Sequence, residues 1–251
     1  MFNPSGIYQM RARNSKWFNL SAKKDNNKNV GVLEIYDAID PIWGISDKDL
    51  IASLRAMDAD EIRVYINSPG GSVFSGMNIY NALKSSTATI KTYVSGLAAS
   101  IASVIALAGD EVNIYENSYL MIHQAWGISL GNAQDMLKIA DNLEKFDNTI
   151  VDIYNKKTNK DKADILAKMQ EETWFNALEA KEYGLVNTVI TEDAAKGAMA
   201  FDLSIYKNTP NILSEITNKE LMNKAKEDLE LKQYETKKNL LKKRLSLSEI
   251  D

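Results

Sequence analysis

The sequence predicts a layered α/β fold built on parallel strands. Short β-branched runs alternate with helix-period runs from about residue 30 to residue 109, and Gly, Pro, Asp and Ser punctuate them. The size agrees, because 251 residues with 45% hydrophobic content can bury one sizeable core with an appendage.

Taken in order, residues 1–29 are polar and Asn/Lys-rich, ending in AKKDNNKN, and read as a mobile N-terminal arm. VGVLEIYDAI (30–39) reads as a strand. ISDKDLIASLRAM (45–57) reads as a helix, with Ser46 as N-cap and Asp49 in the capping-box position. EIRVYIN (61–67) is a second strand, stopped by Ser68-Pro69-Gly70-Gly71. Residues 73–84 follow as a helix whose apolar face holds Phe74, Met77, Ile79, Tyr80 and Leu83. ATIKTYVS (88–95) alternates as a strand does, and ASIASVIALAG (99–109) is a small-residue helix ending at Gly109. EVNIYE and SYLMIHQ are two further short strands.

A long helix is predicted over 132–156, where Met136, Ile139, Ala140, Leu143, Phe146, Ile150 and Ile153 keep a 3–4 spacing. KADILAKM (162–169) is a second helical piece, and NALEAKEYG is a capped helix ending at Gly184, with a strand after it. Residues 192–213 lose periodicity, contain Pro210 and read as a linker. Residues 214–251 hold nine Lys/Arg and eight Asp/Glu without Gly or Pro, the pattern of a charged, solvated helical tail. Leu221, Ala225 and Leu229 give it only a thin apolar stripe.

Composition removes several function classes. There is no cysteine, hence no disulfide, thiolate nucleophile or cysteine-ligated metal. A net charge of −4 offers no global attraction to nucleic acid or an anionic membrane. No window approaches the ~20 apolar residues of a bilayer span, and the first residues lack a secretory pattern. An intracellular soluble protein is expected. The single histidine, His123, excludes a two-histidine metal site within one chain and is the one possible imidazole catalyst.

Ser100 lies between a strand and a small-residue helix, where helix-terminal amides stabilise developing negative charge. The next amide, that of Ile101, would face an oxygen bound beside Ser100. Ala98 and Ala99 precede the serine, so this is not a G-x-S-x-G elbow, and Ser95, Ser100 and Ser103 could equally be small packing residues. His123 closes the strand YLMIHQ and, with an unperturbed pKa of ~6.5, suits accepting a hydroxyl proton. A carboxylate that fixes the imidazole would complete such a set. Asp161, Asp164, Glu171 and Glu172 are the candidates, and spacing alone does not choose among them. Gly70-Gly71 supplies backbone that can approach a substrate with no Cβ in the way, or simply an ordinary Pro-Gly turn.

Four blocks occur in series: INSPGGSVFSGMNIYNAL, SGLAASIASVIALAGD, LMIHQAWG and ETWFNALEAKEYGLV. In this order they resemble the Clp-type serine peptidases, most closely the Clp-related head maturation (prohead) proteases of phages and prophages, over about residues 30–190. The resemblance implies a Clp/crotonase-like layered fold with repeated β-β-α units over residues 30–191; the charged helical tail, 214–251, is absent from the compact peptidase pattern. It implies Ser100 as nucleophile, His123 as general base, and the amides of Gly71 and Ile101 as oxyanion hole. Counting back from EYGLV places the acidic member on Glu172, a glutamate where the housekeeping Clp peptidase carries aspartate, with Glu171 as fallback. It further implies ring-shaped homo-oligomers with contacts from the 132–156 helix, and a substrate groove bordered by AWGISLG. No metal or organic cofactor is required.

The function expected on this basis is a serine endopeptidase that cleaves capsid or scaffold proteins during phage head maturation, in the cytoplasm of a bacterial host and at the procapsid. A degradative Clp-type peptidase served by an unfolding ATPase is the alternative within enzymes. A non-catalytic head-assembly scaffold that retains the fold is the alternative outside them. Crotonase-like acyl-CoA enzymes share the oxyanion architecture but not the Ser100/His123 pairing. Nucleic acid and membrane are not expected partners. The tail would dock assembly partners or be removed.

Overall fold

Runs rich in Val, Ile and Tyr form the expected parallel strands: β2 (Lys28–Ile35), β3 (Glu61–Ser68), β4 (Thr89–Ala99) and β5 (Glu111–Tyr115). The computed structural model describes residues 18–25, 28–40, 47–191, 201 and 203–213. Helices α1 (Asp47–Arg55), α2 (Val73–Lys84) and α3 (Ile101–Ala106) connect these strands in turn. The layered α/β expectation therefore holds. The β-β-α grouping occurs at β1–β2–α1, where β1 is Phe18–Asp25, and where β5 and β6 (Tyr119–Ile122) precede α4 (Ala133–Thr158); β3 and β4 each pass directly into a helix.

Alternation along the strands separates two faces. Ile62, Val64 and Ile66 of β3 are buried in one core with Leu50, Ile79, Leu83, Ile101 and Ile105 of the helices. Fully burying each such side chain contributes roughly 1.5–3 kcal/mol. The opposite face carries half-buried Tyr65 and Tyr93, paired in register and stacked at 4.9 Å.

β4 is longer than its sequence pattern indicates, because it serves two neighbours. Lys91–Val94 pairs with β5, while Leu97–Ala99 pairs with β6. The fork sits where the β3–β4 register shifts between Ile66 and Ser68. There the Asn67 side chain accepts the Leu97 N–H at 3.0 Å, replacing a lost ladder bond. A Cβ on Gly96 would lie 2.6 Å from that Asn67 oxygen, so a larger residue would have to displace the Asn67 side chain.

Several expectations are corrected. Residues 18–25 of the polar arm are a strand, β1, zipped antiparallel to β2 from Phe18↔Ile35 to Asp25↔Lys28. Residues 1–17 lie outside the described residues, as does the Ser46 cap. Phe74 leaves the apolar face of α2: it is 70% exposed and packs edge-on against Phe146 at 5.0 Å. The 99–109 helix is only Ile101–Ala106, because β4 runs through Ala99. ETWFN contains an unforeseen strand, β7 (Thr173–Asn176), antiparallel to β6.

The remaining elements follow their caps. α4 starts on an Asn132–Asp135 capping box, α5 (Lys162–Gln170) on Asp161, and α6 (Ala177–Tyr183) on an Asn176–Glu179 box, ending at left-handed Gly184. β8 (Thr188–Ile190) extends β5 in parallel. The chain divides into two compact units, one up to residue 199 and the other from residue 200. In the second, within the stretch read as a linker, residues 203–209 turn on bonds to the Leu203 carbonyl and 211–213 form a helical turn. The 214–251 tail lies outside the described residues. Among the described residues no helix is long and apolar enough to cross a membrane.

Candidate active site

The site forms where β3, β4 and β6 end together. After β3, Ser68-Pro69-Gly70-Gly71 turns against the segment that follows β2. Ser68 Oγ donates to Asp37 O at 2.6 Å, Ile39 N–H to Gly70 O at 2.8 Å and Ser72 N–H to Ile39 O at 2.7 Å. Both glycines have positive φ, 91° and 144°. A Cβ on Gly70 would sit 2.7 Å from Ser100 Cβ and from Ala99 O, and 3.3 Å from Ile101 N. On Gly71 it would fall on the Ile39 carbonyl. The turn is thus pressed against Ser100 and the start of α3.

Ser100 is the N-cap of α3 with φ 56° and ψ −130°. β4 delivers it, and its N–H donates to Met121 O of β6 at 3.0 Å. Ile101 opens α3, where a backbone N–H has no preceding intrahelical carbonyl. His123 follows β6 immediately, and its Nε2 lies 2.7 Å from Ser100 Oγ. Burial holds the His123 pKa down at about 4, while the charge of Glu172 acts to raise it.

That electrostatic pairing separates the acidic candidates. Glu172 is only 9% exposed, has a left-handed backbone (φ 52°) and accepts from Trp174 Nε1 at 3.3 Å. The Glu171 side chain is 68% exposed and pairs with Lys168 at 3.6 Å. Asp161 caps α5, and Asp164 accepts from the Tyr183 hydroxyl at 2.8 Å. Of the four, Glu172 combines burial with a charge that acts on the imidazole.

The arrangement can perform nucleophilic chemistry. A hydroxyl at 2.7 Å from a neutral imidazole can hand over its proton as it attacks, and a buried carboxylate then favours the imidazolium.

The Clp protease family pattern matches residues 45–193, more than half of the chain. The chain belongs to the Clp protease family. It is accordingly a serine-type peptidase, a hydrolase, and its layered sheet agrees with that family's fold. It is similar to the ATP-dependent Clp protease proteolytic subunit of Deinococcus radiodurans, 34% identical over 158 residues, covering 61% of this chain and 78% of that one. A subunit of the same name from Bacteroides thetaiotaomicron is 35% identical over 132 residues, 52% and 60% of the two chains. The chloroplastic proteolytic subunit 3 of Arabidopsis thaliana is 34% identical over 157 residues, 60% of this chain and half the length of that one.

Sequence reasoning missed one anchor of this candidate site. Asp147, buried on α4, accepts Ala125 N–H at 2.7 Å and Gln124 Nε2 at 2.9 Å, and so ties down the segment after His123. Burial pushes its carboxyl pKa up. Its signal was present: Leu143, Asp147, Ile150 and Tyr154 share one stripe of the helix, and an acid within an apolar stripe marks a buried polar contact.

Proposed function

We propose that this chain is the proteolytic component of a degradative Clp-type peptidase, acting through Ser100, His123 and Glu172. The contact of 2.7 Å between His123 Nε2 and Ser100 Oγ carries this reading. Ser100 Oγ attacks a peptide carbonyl as His123 takes its proton. The amides of Ile101 and Gly71 receive the oxyanion, and Glu172 stabilises the imidazolium. His123 then protonates the leaving amine, and water hydrolyses the acyl-enzyme by the reverse proton route.

The relatives' names, proteolytic subunits of an ATP-dependent Clp protease, favour this degradative role over head maturation. An ATP-driven unfoldase as partner and a bacterial cytoplasm as location belong to the same proposal. Assembly into a homo-oligomeric ring is part of the reading. Trp126, Ile128, Leu130, Met136 and Leu137 support it, as five large apolar side chains exposed within twelve residues. Head-protein processing is the second reading, supported by the four-block series in the sequence.

One experiment addresses both. Ser100→Ala and His123→Ala should each reduce hydrolysis of a fluorogenic peptide by about 10³-fold or more; full activity in either rejects the mechanism. With an unfoldase and ATP, a folded protein should be degraded processively. Cleavage of a capsid or scaffold protein at a few defined bonds without ATP would favour the second reading.

A further inference from the structure

A buried chain of hydroxyls runs from α4 to the Ser100 peptide. Ser103 Oγ donates to Ser100 O at 2.6 Å, and the Ser103 N–H reaches the same oxygen at 3.0 Å. Tyr154 OH lies 2.7 Å from Ser103 Oγ. The serine hydroxyl has one proton, which it gives to Ser100 O, so the phenol donates to Ser103 Oγ. Both residues are buried, and burial pushes the Tyr154 pKa up, which keeps that proton in place.

An Ala and a Phe would fill the same space without desolvating two hydroxyls. What the hydroxyls add is direction. The Ser100 carbonyl and the Ile101 N–H belong to one planar trans peptide, so they point opposite ways. Drawing the carbonyl toward Ser103 therefore points the Ile101 N–H to the opposite side of that peptide. Bonds to the carbonyl also polarise the amide and strengthen its N–H as a donor. Ser100 needs such support, because its backbone (φ 56°, ψ −130°) lies where L residues remain only when their surroundings impose it.

We propose that Ser103 and Tyr154 are positioning residues that anchor the Ser100–Ile101 peptide and thereby aim the Ile101 N–H at the oxyanion formed during acyl transfer. The proposal rests on the reading of Ser100 as the nucleophile.

The test uses the full chain and the double variant Ser103→Ala/Tyr154→Phe. Removing both hydroxyls together leaves no buried donor unpaired, and the backbone N–H at 103 still reaches Ser100 O. Peptide hydrolysis gives kcat and KM, and a fluorophosphonate gives the rate of Ser100 modification. Both rates should fall about tenfold while KM is unchanged, the pattern of an interaction made only in the transition state. Ile150→Val, which loosens the same helix without touching the hydroxyls, should leave kcat unchanged. A fall in kcat of less than about threefold, or one matched by Ile150→Val, overturns the proposal. If the double variant does not fold, Tyr154→Phe alone decides by the same criterion. Failure of the unmutated chain to label at Ser100 would instead overturn the underlying reading.

Discussion

Glu171 and Glu172 are adjacent in sequence and opposite in environment, which makes them the sharpest comparison at the scale of single residues. Glu172→Gln is expected to lower kcat by roughly 10³-fold or more, and Glu171→Gln to leave it within about twofold. Equal losses would contradict the assignment. The pH profile carries a sign as well. The His123 pKa, about 4, lies below its ordinary 6.5, so activity should persist well below pH 6.5 and fall as pH nears 4. Glu172 raises that pKa, so Glu172→Gln should move the acid limb lower still; an upward shift would contradict the pairing. Folding follows the same depression. Between pH 6.5 and 4 the unfolded chain takes up the histidine proton first, so stability falls on acidification, and His123→Ala should remove that slope. Gly70 is a steric prediction. Gly70→Ala puts a Cβ 2.7 Å from Ser100 Cβ at a positive φ, and should abolish peptide hydrolysis and lower the unfolding midpoint.

At the scale of elements, α4 does two jobs along one length. Its C-terminal half buries Ile150, Val151, Ile153 and Tyr154, while Met136 and Leu137 near its start are exposed. Replacing Met136 and Leu137 with Ser should therefore weaken self-association, read by light scattering, and leave monomer folding intact. Asp147→Ala should instead cost about 1–3 kcal/mol of stability, measured by denaturant unfolding, because Ala125 N–H loses its acceptor. Legibility varied for physical reasons. α2 was read to the residue from its apolar spacing, and α6 almost so, because Asn176 and Gly184 are caps with local chemistry. β1 was missed because FNLSAKKD is polar and carries no core pattern of its own. β7 was missed because TWFN is a short run leading straight into a capped helix, and only the pairing with β6 makes it a strand.

For the whole molecule, the alternating pattern was enough to predict parallel α/β layering, but not the fork in β4. That fork depends on the Asn67 side chain meeting the Leu97 amide, a contact 30 residues apart that no local pattern encodes. The fork matters because β6 pairs with the far end of β4 and so carries His123 to Ser100. The proposed site residues were legible as a set of motifs, and the preference for Glu172 that came from counting back from EYGLV is supported by a burial that Glu171 lacks. The central claim is that fold and pairing make Ser100 a nucleophile dependent on His123. The direct measurement is peptide mapping after fluorophosphonate labelling of the full chain and of His123→Ala. The account predicts a single adduct on Ser100 in the first and none in the second. An adduct on another serine, or undiminished labelling of Ser100 without His123, would contradict it.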